Sequence, residues 1–194
     1  MKKILSTVLI ILFSVTPLWA ETPGSGPQDS VQQLLGEIRQ IKPESSEENQ
    51  KHSKVALSLL NVPEISRKAL GKYWTKRSET EQEKFQALLG ELFVYVAFPS
   101  SAKFFAELDL VYGKTKKKKA VVVVPLTVVH EKEGEVEIDF HLTQSESKWK
   151  VVDVILDGVS MRNNLRSQFY KLIKKKDFNE LLRKMNKKLV TAKS

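Results

Sequence analysis

The chain has 194 residues, 41% of them hydrophobic and 28% charged, with 32 Lys+Arg against 23 Asp+Glu and no Cys. That length suits one domain with a real core, and a rich supply of Leu, Ile, Val and Phe argues against wholesale disorder. Without Cys there is no disulfide framework, thiol nucleophile, thiolate metal site or acylated N-terminal Cys, and His52, His130 and His141 lack metal-pair spacing.

Lys2 and Lys3 form a short positive start, Ile4 to Val15 is nearly continuous apolar sequence, and Thr16 to Ala20 leads into Glu21. This three-part layout is that of a secretory signal peptide, with cleavage expected after Ala20. The apolar run is short for a bilayer span. No second apolar stretch is long enough to span a membrane, so the mature chain is expected to be a soluble protein of a bacterial envelope, most simply the periplasm. Removing residues 1–20 lowers the net charge from +9 to +7. Export argues against a nucleic-acid partner, the usual reading of a basic chain.

Residues 21–28, with Pro23, Gly24, Gly26 and Pro27, read as a flexible lead-in to a single domain over 29–190. From Asp29 and Ser30 the residues Val31, Leu34, Leu35, Ile38 and Ile41 follow helical spacing until Pro43. Residues 44–50 read as a polar loop. Val55, Leu59 and Leu60 mark a second helix, and Ile65, Ala69, Leu70, Tyr73 and Trp74 a third. Ser78 and Glu81 form a capping-box pattern. It opens a helix with Phe85, Leu88, Leu89, Leu92, Phe93 and Val96 on its apolar face, ended by Pro99. Residues 102–108 read as one more short helical piece.

The pattern then changes. Residues 120–129 are rich in β-branched side chains and read as a strand, with Pro125 pointing to an edge or a bulge. Residues 135–142 alternate, with Val136, Ile138, Phe140 and Leu142 on one face and Glu137, Asp139 and His141 on the other. Glu133-Gly134 is a plausible turn before them. Residues 149–156 are apolar on both faces apart from Lys150 and Asp153, as a central strand would be, and 108–112 read as a shorter strand. After Asp157-Gly158 the helical period returns through Met161, Leu165, Phe169, Leu172 and Ile173. Asp177 then caps a last helix carrying Phe178, Leu181, Leu182, Met185 and Leu189. Helices, antiparallel strands and helices again predict an α+β domain with helices on one face of a curved sheet. Such a sheet can enclose an apolar cavity.

Few residues suggest chemistry. Asp139 and His141 could combine with Asp153 or Asp157 as an acid–base pair. No nucleophile, phosphate loop or metal motif accompanies them, and a solvated strand face explains them better. No catalytic set, metal or cofactor is expected. Lys114, Lys116, Lys117, Lys118 and Lys119 give five lysines in six positions. They read as a solvated loop that could also meet an anionic surface or an acidic partner. Lys174, Lys175, Lys176, Lys184, Lys187 and Lys188 read as solvated helix surface.

Three blocks carry a resemblance. Leu70-Gly71-Lys72-Tyr73-Trp74, followed by Glu81-Gln82-Glu83-Lys84-Phe85 and Leu88-Leu89, resembles an LGxYW…(E/Q)Q…F…LL pattern. Trp149 to Val154, Asp157 to Ser160 and Asn164 to Phe169 resemble WKVYDVxxEGVSxxxNYRSQF. Phe178 to Leu182 resembles FDGLI. These patterns are those of the MlaC, or toluene-tolerance auxiliary, family. The resemblance implies a fold similar to nuclear transport factor 2, with helices against a strongly curved antiparallel sheet and phospholipid acyl chains in an apolar cavity between them. It also implies a periplasmic carrier, working between an inner-membrane ABC-transporter complex and an outer-membrane lipoprotein–porin complex, that maintains outer-membrane lipid asymmetry.

Under that resemblance the expected cavity walls are Leu70, Trp74, Leu88, Leu92, Val136 and Ile138, together with Phe140, Val152, Val154, Val159, Leu165 and Phe169. Arg166 is expected either to meet a headgroup phosphate or to pair with Asp153 or Asp157. The mature chain is expected to act as a monomer. Two other classes stay open. An enzyme of the ketosteroid-isomerase type needs a carboxylate inside the cavity, with Asp139 as the candidate, and an interaction module needs no cavity at all.

Overall fold

A computed structural model describes residues 26–43, 46–130 and 134–194. The expected export signal, most of the lead-in, and Glu133 of the expected turn lie outside the described residues. Helix α1 (Pro27–Arg39) starts two residues earlier than Asp29. Pro27 sits in the first turn, where its missing N–H costs nothing, and the Asp29 carboxylate accepts the Gly26 N–H at 2.9 Å. Helix α2 (Glu47–Ser58) claims most of the stretch read as a polar loop. Ser46 caps it by accepting the Asn49 N–H at 3.1 Å, and Glu47 and Glu48 suit its positive end.

Helix α3 (Val62–Leu70) runs into a 3₁₀ segment (Gly71–Lys76). Gly71 has φ +47° and ψ −118°, a backbone conformation that side chains resist, and any Cβ there would collide with the Tyr170 hydroxyl. That hydroxyl accepts the Lys72 N–H at 2.8 Å, and the Tyr73 and Tyr170 rings meet edge to face at 4.9 Å. The LGxYW block is thus a close approach between α3 and a later helix, α6 (Met161–Lys175).

Helix α4 (Glu79–Leu92) opens on the capping box read from Ser78 and Glu81. It does not stop at Pro99. It passes through a π turn (Phe93–Ala97) into α5 (Phe98–Phe105). The wider turn accommodates Pro99, whose ring and missing N–H disrupt a regular helix. The joined helix Glu79–Phe105 is therefore long and apolar enough, by length and composition, to cross a membrane, contrary to the expectation that no second stretch would be. Here it packs Phe85, Leu89, Phe98, Ala102 and Phe105 into the core.

The six-stranded antiparallel sheet comprises β1 (Leu110–Tyr112), β2 (Lys116–Lys118), β3 (Val121–His130), β4 (Gly134–Ser145), β5 (Lys148–Leu156) and β6 (Val159–Ser160). Its order is β1-β3-β4-β5-β6, and β2 lies beside β1 on the same edge of β3. Pro125 was expected at an edge or a bulge, yet β3 is paired on both sides. Pro125 falls opposite the break between β1 and β2, where its carbonyl accepts the Gly113 N–H at 2.9 Å and its missing donor leaves no gap in a ladder. Lys116, Lys117 and Lys118 were expected in a loop and instead form β2, fully exposed at the edge.

Strand β5 was expected to be central. It lies next to the edge, because β6 pairs only with Ile155 and Leu156. The link between α2 and α3 covers part of its free side: Val151 donates to the Leu59 carbonyl and accepts from the Asn61 N–H, both at 2.9 Å. Its apolar character on both faces has a second cause, a bulge. Leu142 stands opposite Val151 and His141 opposite Asp153, so Val152 is extra. Val151 and Val154 consequently share the face of Ile138, Phe140 and Leu142.

Helices α1, α3 and α6 lie against that face, and α4 and α7 (Phe178–Lys193) pack behind them. Phe85 of α4 meets Phe169 at 5.6 Å and Phe178 at 6.3 Å, which joins α4, α6 and α7. Replacing Gly71 with Ala is expected to destabilise the fold by about 2–3 kcal/mol in urea denaturation. In a Tyr170→Phe background the same change should cost less, because the clashing hydroxyl is gone while the positive-φ strain remains.

Candidate functional site

A cavity of about 520 Å³ lies between the sheet and the helices, within the size range of small-molecule pockets. Leu34, Leu35 and Ile38 of α1 form one wall. Phe93 and Ala97 of the π turn form a second with Phe98, Phe104 and Phe105 of α5. Ile138 and Phe140 of β4 and Val151, Val152, Val154 and Leu156 of β5 form the sheet side. Met161 and Leu165 of α6 stand opposite α5. The exposed members of the lining are Ser100 and Asn164, so the mouth opens between α5 and the start of α6.

The wall helices are fastened to one another. Arg39, in the last turn of α1, donates to the Phe105 carbonyl at 2.9 Å and the Leu108 carbonyl at 2.6 Å. These bonds tie the last turn of α1 to the end of α5 and to the chain that leaves it. Among the described residues, Asp153 and Arg162 are the ionisable members of the lining, and they pair with each other. Asp153 is 5% exposed. It accepts the Ser160 hydroxyl at 2.6 Å and the Arg162 backbone N–H at 3.0 Å, and its carboxylate lies 3.3 Å from the Arg162 guanidinium. Ser160 in turn caps α6 by accepting the Asn163 N–H at 3.0 Å. The carboxylate therefore fixes where α6 begins, and with it one side of the mouth.

Of the expected wall residues, Ile138, Phe140, Val152, Val154 and Leu165 line the cavity. Leu70, Val136 and Phe169 are buried in the core beside it, and Trp74, Leu88 and Leu92 are half-buried against that core. Val159 is 54% exposed: the Asp157-Gly158 turn, with φ of +44° and +77°, places it at the sheet margin. Arg166 pairs with neither Asp153 nor Asp157. It lies one turn beyond Arg162 and donates to the Asn163 side chain at 2.8 Å, while Asp157 accepts the Glu137 N–H.

Of the helical wall only Leu165 is among the expected residues; the members from α1, the π turn and α5 are not. Residues 92–98 held its signal, because a stretch apolar all round has more than one apolar neighbour to face. Asp139 alternates with Ile138 and Phe140, so it lies on the opposite face of β4 from the cavity. His141 shares that outer face. Burial lowers its pKa, and the carboxylates of Asp153 and Asp139 partly oppose the shift. Among the described residues no group of three His, Asp or Glu could hold a metal ion.

Residues 28–187 match the family described as MlaC protein. Comparison with curated proteins gives no match. Among solved structures, the chain is similar to a phospholipid-binding protein from Ralstonia solanacearum determined in complex with a phospholipid. The TM-score is 0.68 at 18% identity, over 86% of this chain and 96% of that one. The fold is therefore shared at a sequence distance that leaves the side chains of the two sites largely independent.

Removing the Asp153 carboxylate strands the Arg162 guanidinium and uncaps the start of α6. Asp153→Ala is expected to cost about 3–5 kcal/mol of stability, read by urea denaturation. Asp157→Ala, at an exposed turn, should cost less than half of that.

Proposed function

This chain belongs to the MlaC protein family, and on that footing we propose that it is a periplasmic phospholipid carrier. The observation that carries the proposal is the cavity itself: about 520 Å³, walled by aliphatic and phenylalanine side chains, with its two ionisable groups spent on each other. Acyl chains in water are the physical problem such a space solves. Each CH₂ taken from water is worth about 0.8 kcal/mol, so two sixteen-carbon chains represent on the order of 25 kcal/mol of gross transfer free energy. A carrier must offer a comparably dry space, or the lipid stays in its membrane.

The arrangement also supports exchange. The cavity opens to solvent between α5 and α6, so acyl chains can occupy the apolar interior while a polar headgroup stays at the mouth near Ser100 and Asn164. The signal-like residues 1–20 support export to the periplasm. Family membership supports a shuttle between an inner-membrane ABC-transporter complex and an outer-membrane lipoprotein–porin complex, which maintains outer-membrane asymmetry. Against the ketosteroid-isomerase alternative, Asp139 lies on the far side of β4, and the carboxylate that does line the cavity, Asp153, is paired with Arg162.

Native mass spectrometry of the mature protein, with solvent extraction, tests the reading. A stoichiometric phospholipid adduct that is lost on denaturation is expected. A bare mass after mixing with phospholipid vesicles would overturn the carrier reading. Val154→Arg places a charge in the half-buried sheet wall and should cut lipid occupancy at least tenfold while the circular dichroism spectrum is retained. Unchanged occupancy in that folded variant would remove Val154 from the site.

A further inference from the structure

The positive charge of this domain is not spread over its surface. Residues 21–170 contain 21 basic and 21 acidic side chains, whereas residues 171–194 contain nine basic and two acidic ones. The whole +7 excess of the mature chain therefore lies on the end of α6 and on α7. Lys171, Lys174, Lys175 and Lys176 are exposed at the first site, and Arg183, Lys184, Lys187 and Lys188 at the second. Lys184, Lys187 and Lys188 recur at helical spacing along one edge of the stripe of buried Leu181, Leu182, Met185 and Leu189. Among the described residues no carboxylate pairs with these three, whereas Arg183 pairs with Glu180 and Lys193 with Glu91, each at 2.6 Å.

These side chains also shape the surface. Lys184, Lys187 and Lys188 line an open groove of about 540 Å³, with Val96 and Ala192 as its apolar members. Val96 belongs to the π turn whose Phe93 and Ala97 line the internal cavity. One turn of helix therefore separates the basic groove from the cavity. Val190, 59% exposed, adds an apolar side chain to the outer surface of α7.

We propose that the basic surface of α7 and the end of α6, with its groove at Val96, docks this protein on an anionic phospholipid bilayer. The residue choice favours a lipid surface over an acidic protein. Eight of the nine cations are lysines. Lysine is a mobile, strongly hydrated point charge suited to a field of phosphates, whereas arginine dominates where fixed carboxylates are gripped bidentately. The Lys114–Lys119 run lacks this geometry. Its β2 lysines alternate between the two faces of the sheet, so their charges do not converge on one plane. Edge lysines of that kind also keep a further strand from adding to the sheet. The docking surface does not depend on what the cavity holds.

Vesicle flotation of the mature protein tests the proposal, with phosphatidylcholine alone and with mixed phosphatidylcholine–phosphatidylglycerol vesicles. Binding is expected on the anionic vesicles only. It should be lost between about 0.1 M and about 1 M salt, as the Debye length falls from roughly 10 to 3 Å. The triple variant Lys184→Gln, Lys187→Gln, Lys188→Gln should bind about 100-fold more weakly. The matched variant Lys116→Gln, Lys117→Gln, Lys118→Gln loses the same charge and should stay within about threefold of the parent. An equal loss in both variants would mean that net charge alone drives binding, and would overturn the assignment. So would capture by polyglutamate in place of vesicles, or no vesicle binding at all. Lipid carried in the cavity is measured on the same samples. Docking without cavity lipid would defeat the carrier reading and leave the docking surface standing; cavity lipid without docking would do the reverse.

Discussion

A dry space inside a small domain exists only if its walls cannot fall into it. Apolar side chains left facing an unfilled volume lose dispersion contacts, so the surrounding elements are under a standing pull to collapse. Here that pull is resisted by polar fastenings at the rim. Asp153 holds the first turn of α6 to β5 through Ser160 and Arg162, and Arg39 holds the end of α1 to the end of α5. Each fastening is a charged group bonded to backbone, which is stronger and more directional than apolar packing. The cavity is kept open by its margins rather than by its lining.

The sheet contributes through an irregularity. A regular β5 would have turned Val151 and Val154 to opposite faces, and half of its valines would have pointed away from the helices. The single extra residue at Val152 brings both onto the inner face. The π turn does the corresponding work on the helical side. It carries the chain past Pro99 without a break, so one continuous helix supplies both core residues such as Phe85 and cavity residues such as Phe93 and Phe98. Both devices add one residue to a regular element, and both stand where the wall changes from filled core to open space.

That pattern explains what was legible in the sequence. Periodicity gave the helices around Val31, Phe85 and Phe178, the alternation of β4, and the α+β order, because each rests on a regular repeat. Ser78 and Asp177 cap the helices they precede, as their patterns imply. The misreadings fall at irregular points. Pro99 reads as a stop because a π turn has no sequence period of its own. The bulge made β5 resemble a central strand. Arg162 and Arg166 stand one helical turn apart, and only the position of Asp153 decides which of them pairs. Leu70 and Phe169, in the most recognisable motifs, turned out to be core, because those motifs encode the contact of α3 with α6 at Gly71 and Tyr170. The cavity wall itself, from Leu34 to Phe104, has no motif. Any apolar side chain of suitable size serves there, so composition alone does not mark it.

The distribution of charge follows from the same division of labour. A domain that keeps an apolar cavity open to solvent is exposed to self-association, and net charge is the general remedy. Spreading that charge evenly would place cations around the mouth at α5 and α6, where the polar members of the described lining are Ser100, Ser101, Asn164 and the paired Arg162. Gathering it on α7 and the end of α6 leaves the remainder of the mature chain electrically balanced and the mouth free of unpaired cations from the lining. The helix that backs the cavity wall thus turns Phe93 and Ala97 inward and contributes Val96 to the groove whose cations come from α7. An anionic surface held against that groove would lie beside the π turn, the segment that also contributes Phe93 and Ala97 to the cavity wall.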